Sequence, residues 1–325
     1  MKAAIATYAD TPIWVDAPEP AGGPGLVTVA MRAVPLHNLA RAVADGRHYV
    51  SPASPGFVIG VDGVGVTEDG RRVYLSVPGT AAQTVTVPEE ALVEVPDALD
   101  DLQAAAAMNA VMSSWMAMTV RARVRPGRTV LVLGATGGSG RPAVAVARHL
   151  GARVIAAGRN TAVLATVGAD AVIDLGAPEA EIAEALRAEK IDVVVDYLWG
   201  RPAELTLAAL EKRGPAEFVQ IGTMAGAEIA LPGALLRSTD IRLLGSGFGS
   251  FTADEVIAAR PNILEAIVEL GIEIDVTAVP AESVAEIWRK GHRGPTGRSH
   301  AVAGTRSAAS ESADSSAYTS VRCAL

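Results

Sequence analysis

A glycine-rich loop, GATGGSG at residues 134–140, follows the apolar segment TVLVL and precedes a segment with helical character. Small residues let the backbone approach a ligand closely, and the free N–H groups and dipole at a helix N-terminus attract phosphate. Pro142 suits the first turn of that helix, where N–H groups have no intrahelical partner. A plain structural turn is the alternative, since the spacing is GxxGxxG rather than GxGxxG. In this strand–loop–helix context we predict dinucleotide binding by Gly134, Thr136, Gly137, Gly138, Ser139 and Gly140.

The end of the next strand segment, RVIAAG at 153–158, indicates which dinucleotide binds. An NAD site usually has an acidic residue there, which accepts hydrogen bonds from the ribose hydroxyls. Gly158 stands in that place and is expected to leave room, and Arg159 offers a planar guanidinium for a phosphate. With Asn160 as a further donor, we predict NADPH as the cofactor. The alternative is that Arg159 is an ordinary solvated arginine.

The bulk composition excludes several other classes of protein. The 325 residues carry a net charge of −8 and only 4% aromatic residues, which argues against a nucleic-acid partner. Cys323 is the only cysteine, so a disulfide within the chain and a cysteine-rich zinc site are excluded. No apolar run reaches the ~18 residues of a membrane span, and the N-terminal segment is typical of a strand rather than a signal peptide. We expect a cytoplasmic protein with a small-molecule substrate.

The order of predicted elements divides the chain. Residues 1–104 contain short alternating segments broken by glycine and proline, which favour strands and turns. Between 105 and 250, six apolar strand segments alternate with helical ones, which predicts a doubly wound parallel sheet with helices on both faces. Residues 251–303 hold too few elements for a domain and are expected to return to the first one. Residues 304–325, rich in Ser and Ala without periodicity, are predicted to be a disordered tail.

Several stretches together resemble one known family. They are PGFVIGVDGVG, DGRRVY, TAAQTVTVPEEALVEVPD, GATGGSG, and FVQIGTMAG followed by LLGSG. In this order the chain resembles the medium-chain dehydrogenase/reductases, specifically their zinc-free, quinone-oxidoreductase-like branch. The resemblance implies an α/β fold with a GroES-like β-rich catalytic domain (1–104 and 251–303), a Rossmann domain (105–250) and a cofactor cleft between them. It also implies a homodimer in which the edge strands IRLLGSG of two Rossmann sheets pair.

The zinc ligands of the family's metal-dependent branch are missing from the matching positions. The histidine ligand falls at Val61, within Gly60-Val61-Asp62, and the first cysteine ligand falls near His37. A catalytic zinc needs three protein ligands, and the four-cysteine structural zinc loop is absent as well. We therefore predict no metal. The short-chain reductases carry similar glycine loops, but none of the five tyrosines here has the lysine four residues on that those enzymes require.

Without a metal, side-chain donors must stabilise the negative charge that develops on the substrate. The candidates in PLHNLARAVADGRHY, whose family counterpart lines the cleft, are His37, His48 and Tyr49; ordinary packing or exposure is the alternative for each. Trp199 is a candidate for a wall of the substrate pocket, or else a core residue. Further cofactor contacts are assigned, from strand ends or family analogy, to Ser113, Asp196, Tyr197, Ile221, Gly222, Thr223, Gly245, Ser246 and Gly247.

Two classes of function follow. The first is an NADPH-dependent oxidoreductase that transfers hydride to a quinone or to an activated C=C of the enone or enoyl type; a dedicated biosynthetic reductase shares this chemistry. The second is a non-catalytic NADPH-binding sensor or crystallin-like protein. The donor-rich segment 37–49 favours catalysis. The substrate itself depends on loop shapes, which the sequence does not specify.

Overall fold

The first hundred residues form antiparallel sheets. The computed structural model describes residues 1–8, 11–290 and 299–303. The strands in the first part are β1 Lys2–Ile5, β2 Ile13–Asp16, β3 Leu26–Pro35, β4 Gly63–Thr67, β5 Arg72–Leu75, β6 Thr84–Pro88 and β7 Leu92–Glu94. β1 pairs with β2, whereas β3 lies between β4 and β6. Buried and exposed residues alternate along the middle of β3, as in a strand with one face on the core.

The middle of the chain forms a six-stranded parallel sheet. Its strands are β8 Thr129–Leu133, β9 Arg153–Gly158, β10 Ala171–Asp174, β11 Val193–Asp196, β12 Ala216–Gln220 and β13 Ile241–Gly245. Their order is β10-β9-β8-β11-β12-β13, and every neighbouring pair is parallel. β8 and β11 are buried throughout, because helices cover both faces. The strand order reverses between β8 and β11, so the loops after these strands flank the crevice where such sheets bind ligands.

Helices connect and cover the strands. They are α1 Asn38–Ala44, α2 Asp101–Met116, α3 Gly140–His149, α4 Thr161–Leu164, α5 Glu179–Ala188, α6 Gly200–Ala209, α7 Gly233–Ser238, α8 Ala253–Glu269 and α9 Val284–Lys290. α2 packs against α3 and α8, and it also reaches β3 and β4, so it joins the two halves of the molecule. None of the helices in the described ranges combines the length and the apolar character of a membrane span.

The C-terminal segment returns to the first sheet. β14 Val276–Pro280 and β15 Ser299–Ala303 pair in parallel, and β15 lies antiparallel to β3. The predicted fold class, a β-rich GroES-like part with a Rossmann sheet, is therefore confirmed. The domain limits at 104/105 and 250/251 stay a prediction. α8, which follows the second limit, packs on α2 and on the hydrophobic cluster beneath the parallel sheet. The predicted tail, 304–325, lies outside the described residues.

Candidate active site

The glycine loop after β8 folds back tightly on itself. A Cβ added to Gly140 would lie 2.0 Å from the carbonyl oxygen of Gly134 and 2.8 Å from the Cα of Ala135. Gly134 has a φ of +90°, which favours glycine. A Cβ on Gly138, in contrast, would meet no atom of the described residues within 4 Å. Close packing of the loop therefore requires Gly140, and the turn requires Gly134, whereas Gly138 faces open space.

This loop presents unpaired backbone donors at the start of α3. The amide groups of Thr136, Gly138 and Ser139 have no hydrogen-bond acceptor in the part of the chain that the structure describes. The side chain of Ser139, the N-cap residue of α3, does not cap the helix either. Free N–H groups next to the positive end of a helix dipole form an anion-binding site. The geometry fits the pyrophosphate of a dinucleotide.

The end of β9 differs from the sequence-based expectation in one respect. Gly158 does not leave empty space, because a Cβ added there would lie 2.7 Å from Thr136 Cγ2 and 3.0 Å from Thr136 Oγ1. Arg159 is exposed, and its side chain has no partner among the described residues. Asn160 uses its side-chain oxygen to accept from the amide of Val163 and thereby caps α4. A cation thus stands free beside the strand end, as an NADPH site requires.

The side chain of Asp196, at the end of β11, forms hydrogen bonds with the loop that follows it. Its buried carboxylate accepts hydrogen bonds from the amides of Leu198 (2.7 Å) and Trp199 (3.0 and 3.1 Å). The backbone oxygen of Asp196 accepts from the amides of Ile221 and Gly222, which fixes the neighbouring loop. The prediction that the Asp196 side chain contacts the cofactor is therefore not supported. Its role is to hold two loops at the crevice.

We expect the Asp196 carboxyl group to titrate far above an ordinary aspartate. Burial raises its pKa to about 6, although the two amide donors oppose the shift. The folded protein then binds this proton more tightly than the unfolded chain, whose aspartates titrate near about 3.9, so this contribution to stability is lost as pH rises from about 4 through about 6. Replacing Asp196 with Asn keeps an amide oxygen for both donors. The difference in unfolding free energy between parent and variant should change across that pH window, and a constant difference would contradict the assignment.

Trp199 is half-buried at the edge of a hydrophobic cluster. Its ring makes an edge contact with Phe218, with centroids 6.0 Å apart, and it packs against the hydrophobic cluster on one face of the parallel sheet. The backbone at Trp199 has a φ of +54°, a strained conformation that the Asp196 hydrogen bonds stabilise. This packing supports a structural role for the ring, and its predicted role as a wall of the substrate pocket stays a prediction.

Three of the residues predicted to contact the cofactor meet behind the crevice. The Tyr197 hydroxyl lies 3.1 Å from Ser113 Oγ, which in turn donates to the carbonyl oxygen of Ala110. Burial raises the pKa of Tyr197 to about 12, so its hydroxyl stays protonated and acts as the donor to Ser113. A Cβ on Gly222 would lie 2.7 Å from the Tyr197 carbonyl oxygen, so glycine allows this loop to approach.

The segment 37–49 reaches across the cleft to the parallel sheet at two places. Asn38 donates to the sulfur of Met224 over 3.9 Å, just beyond Thr223. The Tyr49 hydroxyl accepts the amide hydrogen of Phe248 at 3.0 Å, just beyond Gly245, Ser246 and Gly247. The His48 ring stacks on Tyr49 with centroids 4.1 Å apart. The structure therefore brings the predicted catalytic segment together with both predicted cofactor loops.

Sequence reasoning missed Asn38, Met224 and Phe248, which make these contacts. Asn38 lies within the segment 37–49, Met224 directly follows Thr223, and Phe248 directly follows Gly247. Met224 and Phe248 are also exposed, at 69% and 48%. For Met224 and Phe248, the available signal in the sequence was a large apolar residue next to a glycine-containing loop. Their exposure at the cleft is compatible with an apolar substrate.

His37 is unsuited to donate a proton to a substrate. Its Nδ1 accepts from the amide of Ala40, and its Nε2 donates to Asp62 Oδ1 at 3.0 Å. Asp62 is fully buried, and its second carboxylate oxygen accepts from the hydroxyl of Tyr74. Both ring nitrogens are thus engaged, and His37 anchors the start of α1. We correct its predicted role from catalysis to positioning.

His48 and Tyr49 keep a hydrogen to donate. Burial lowers the pKa of His48, so the ring is neutral at pH 7. His48 Nδ1 accepts from the amide of Val50, which leaves the proton on Nε2. The Tyr49 hydroxyl accepts from Phe248 and retains its own hydrogen, and the side chain is 70% exposed. Tyr49 remains a candidate for the proton source, whereas neutral His48 can donate a hydrogen bond to the anion and would act as an acid only in its protonated form.

Comparisons with known proteins agree with this geometry. A family model described as zinc-binding dehydrogenase matches residues 138–265. A probable NADPH-dependent quinone reductase from Emericella nidulans is 29% identical, with 86% of this chain and 93% of the relative aligned. The quinone oxidoreductase from Thermus thermophilus, also solved with NADPH, is 29% identical with a TM-score of 0.77, covering 93% of this chain and 100% of that one.

A further solved structure extends the likeness. A probable oxidoreductase from Mycobacterium abscessus is 26% identical, with a TM-score of 0.76, over 93% of this chain and 98% of that chain. The quinone reductase relative and the two solved structures align over both the antiparallel and the parallel sheet, whereas the family model covers part of the parallel sheet and α8. Across both sheets the chain is therefore similar to quinone oxidoreductases, which supports the resemblance to the quinone-oxidoreductase-like branch of the medium-chain dehydrogenase/reductases.

Proposed function

We propose that this protein is an NADPH-dependent oxidoreductase that reduces a quinone or an activated C=C bond without zinc. The observation that carries the proposal is the pairing of an anion-binding loop with a free cation. Unpaired amides at Thr136, Gly138 and Ser139 precede α3, and Arg159 stands unpaired after β9, within the part of the chain that the structure describes. NADP(H) carries both a pyrophosphate and a 2′-phosphate, and these groups match the two features.

In this proposal, different residues bind the cofactor, enclose the substrate and supply the proton. NADPH supplies the hydride when it is bound. The three loop amides would hold its pyrophosphate, and Arg159 would pair with its 2′-phosphate. The segment 37–49 and the loops at 220–224 and 245–248 would enclose the substrate, where His48 or Tyr49 would donate a proton to the anion that forms on it.

Zinc independence is supported by the chemistry of the available ligands. Val61 cannot bind a metal, and His37 has both nitrogens engaged. Within the described ranges, no three His, Cys, Asp or Glu side chains are grouped closely enough to hold a metal ion. Catalytic zinc needs three protein ligands. Elemental analysis of the purified protein should find no stoichiometric zinc, and turnover should persist after chelation.

NADPH oxidation, followed by absorbance, tests the reaction. The purified protein is mixed with NADPH and a panel of quinones and enones, and then with NADH in parallel. Turnover of at least one acceptor, with NADPH preferred, supports the proposal. Tight NADPH binding without turnover of any acceptor would instead favour the sensor or crystallin-like alternative. The family members reported above favour quinones as the first acceptors to try.

Replacing Tyr49 with Phe tests the proton source. If the Tyr49 hydroxyl is the acid, kcat should fall by about a hundredfold, because a lost general acid typically removes that factor. The variant also loses the acceptor for the Phe248 amide, so a His48→Ala variant and the double variant are measured alongside it. Rates near the parent in all three would show that water or another residue supplies the proton.

A homodimer through β13 is also proposed. β13 pairs with β12 on one side, and no strand of the described part of the chain covers its other edge. Leu243 on this strand is 39% exposed, and unpaired edges invite a second copy. Light scattering should give the mass of a dimer, and Leu243→Lys should shift it towards the monomer. Leu236→Lys, at another exposed leucine, serves as the control. A cytoplasmic location stays a prediction.

A further inference from the structure

We infer that Thr136 determines cofactor specificity indirectly, because it excludes an acidic side chain from position 158. The inference rests on the proposed NADPH dependence and names a second residue behind it. Acidic residues at the end of the second Rossmann strand select NAD through the ribose hydroxyls. Position 158 is that strand end, the last residue of β9. The residue type allowed at position 158 is decided by its contact with Thr136 in the glycine loop.

The contact leaves no room for a side chain at position 158. An added Cβ would be 2.7 Å from Thr136 Cγ2 and 3.0 Å from Thr136 Oγ1, and 3.4 Å from Thr136 Cβ. Real Cβ atoms do not approach other heavy atoms to 2.7 Å. The backbone conformation of Gly158 lies outside the left-handed region, so the obstacle is steric contact with Thr136.

Rotation of Thr136 does not relieve the contact. Threonine places two heavy atoms in the three staggered positions around its Cα–Cβ bond, and χ1 is stiff. Two of those three positions are the ones that crowd position 158. Any rotamer therefore leaves at least one heavy atom in a crowding position. Serine has a single γ atom, which can occupy the third position and free the space.

The consequence concerns both cofactors. With threonine at 136, only glycine fits at position 158. The acidic side chain that would favour NADH and repel a 2′-phosphate is therefore excluded. Arg159 can then bind the 2′-phosphate without a neighbouring negative charge. A Gly158→Asp change alone should therefore fail to produce a good NADH site. The same change combined with Thr136→Ser should produce one. Thr136→Val keeps both γ atoms and should behave like the parent background.

The first arm of the test measures packing without any cofactor. Gly158→Ala is made in the parent, Thr136→Ser and Thr136→Val backgrounds, and the melting temperature is compared within each background. Overpacking of this kind should lower it by roughly 3 °C or more in the parent and Thr136→Val backgrounds. In the Thr136→Ser background the loss should be at most about a third of that. Equal losses in all three would overturn the inference.

The second arm measures the dissociation constants of NADPH and NADH for Gly158→Asp in the same three backgrounds. A carboxylate that accepts from ribose hydroxyls should strengthen NADH binding by roughly tenfold to a hundredfold, in the Thr136→Ser background only. Gly158→Asp alone reaching the same NADH affinity would overturn the inference. A parent without NADPH preference would refute the proposed function, while the melting temperatures would still decide the steric claim.

Discussion

Adding one methyl group at position 140 is expected to destabilise the glycine loop and remove most NADPH binding. The Cβ of Gly140→Ala would lie 2.0 Å from the Gly134 carbonyl oxygen, and neither that oxygen nor the Ala135 backbone can rotate away. Relief would require the loop to move away from the start of α3. The amides of Thr136, Gly138 and Ser139 would then be displaced from the N-terminus of α3.

The effect should be visible in both stability and affinity. Overpacking costs about 1–3 kcal/mol of unfolding free energy and occasionally more. Because the added methyl group would meet backbone atoms, we expect a cost at the upper end of this range. We expect the melting temperature to fall by roughly 6 °C or more and NADPH affinity to fall more than about tenfold, since the anion site needs converging donors.

Gly138→Ala is the matched control for stability. It adds the same methyl group two residues away, where no atom of the described part of the chain lies within 4 Å. Its melting temperature should stay within about 1 °C of the parent, as for a substitution that displaces nothing. Similar losses for the two variants would mean that the loop is not packed as the structure shows it.

Replacing Arg159 with alanine should remove most of the preference for NADPH over NADH. A hydrogen bond between charged groups contributes about 1.5–3 kcal/mol, which corresponds to roughly tenfold to a hundredfold in affinity. NADH lacks the 2′-phosphate, so its binding should change little. Arg159 is exposed and makes no hydrogen bond or ion pair within the described ranges, so its removal breaks none.

Titration of both cofactors into the parent and the variants measures this effect. Arg187→Ala removes another exposed arginine, on α5, and controls for the change in net charge. The loss should also shrink as salt is added, because an exposed ion pair is screened. Equal dissociation constants for NADPH and NADH in the parent would refute the role of Arg159 directly.

The sequence by itself determined the fold and the cofactor loop. The six strands of the parallel sheet are short apolar runs between helical segments, and local periodicity is sufficient to identify such elements. The loop from Gly134 to Gly140 was identifiable because its strand and helix adjoin it in sequence. Arg159 could be predicted as a phosphate contact because the specificity position is defined by the end of a strand, and this role stays a prediction.

Only the tertiary structure decided which side chains are free to act. His37 has a suitable residue type and place in the chain, but Asp62 and the Ala40 amide occupy both of its nitrogens. Asp196 follows a strand as a ligand would, yet it holds the next loop. These partners come from other elements or from turn geometry, so no periodic pattern records them.

The contact between Thr136 and Gly158 has the same character. Glycine at a strand end indicates open space when the sequence is considered alone, but here it indicates a neighbour that fills the space. The two residues lie on different strand–loop connections and meet because β8 and β9 are adjacent in the sheet. Residue type along the chain therefore specified the elements, whereas the pairing of elements decided the availability of each group for chemistry.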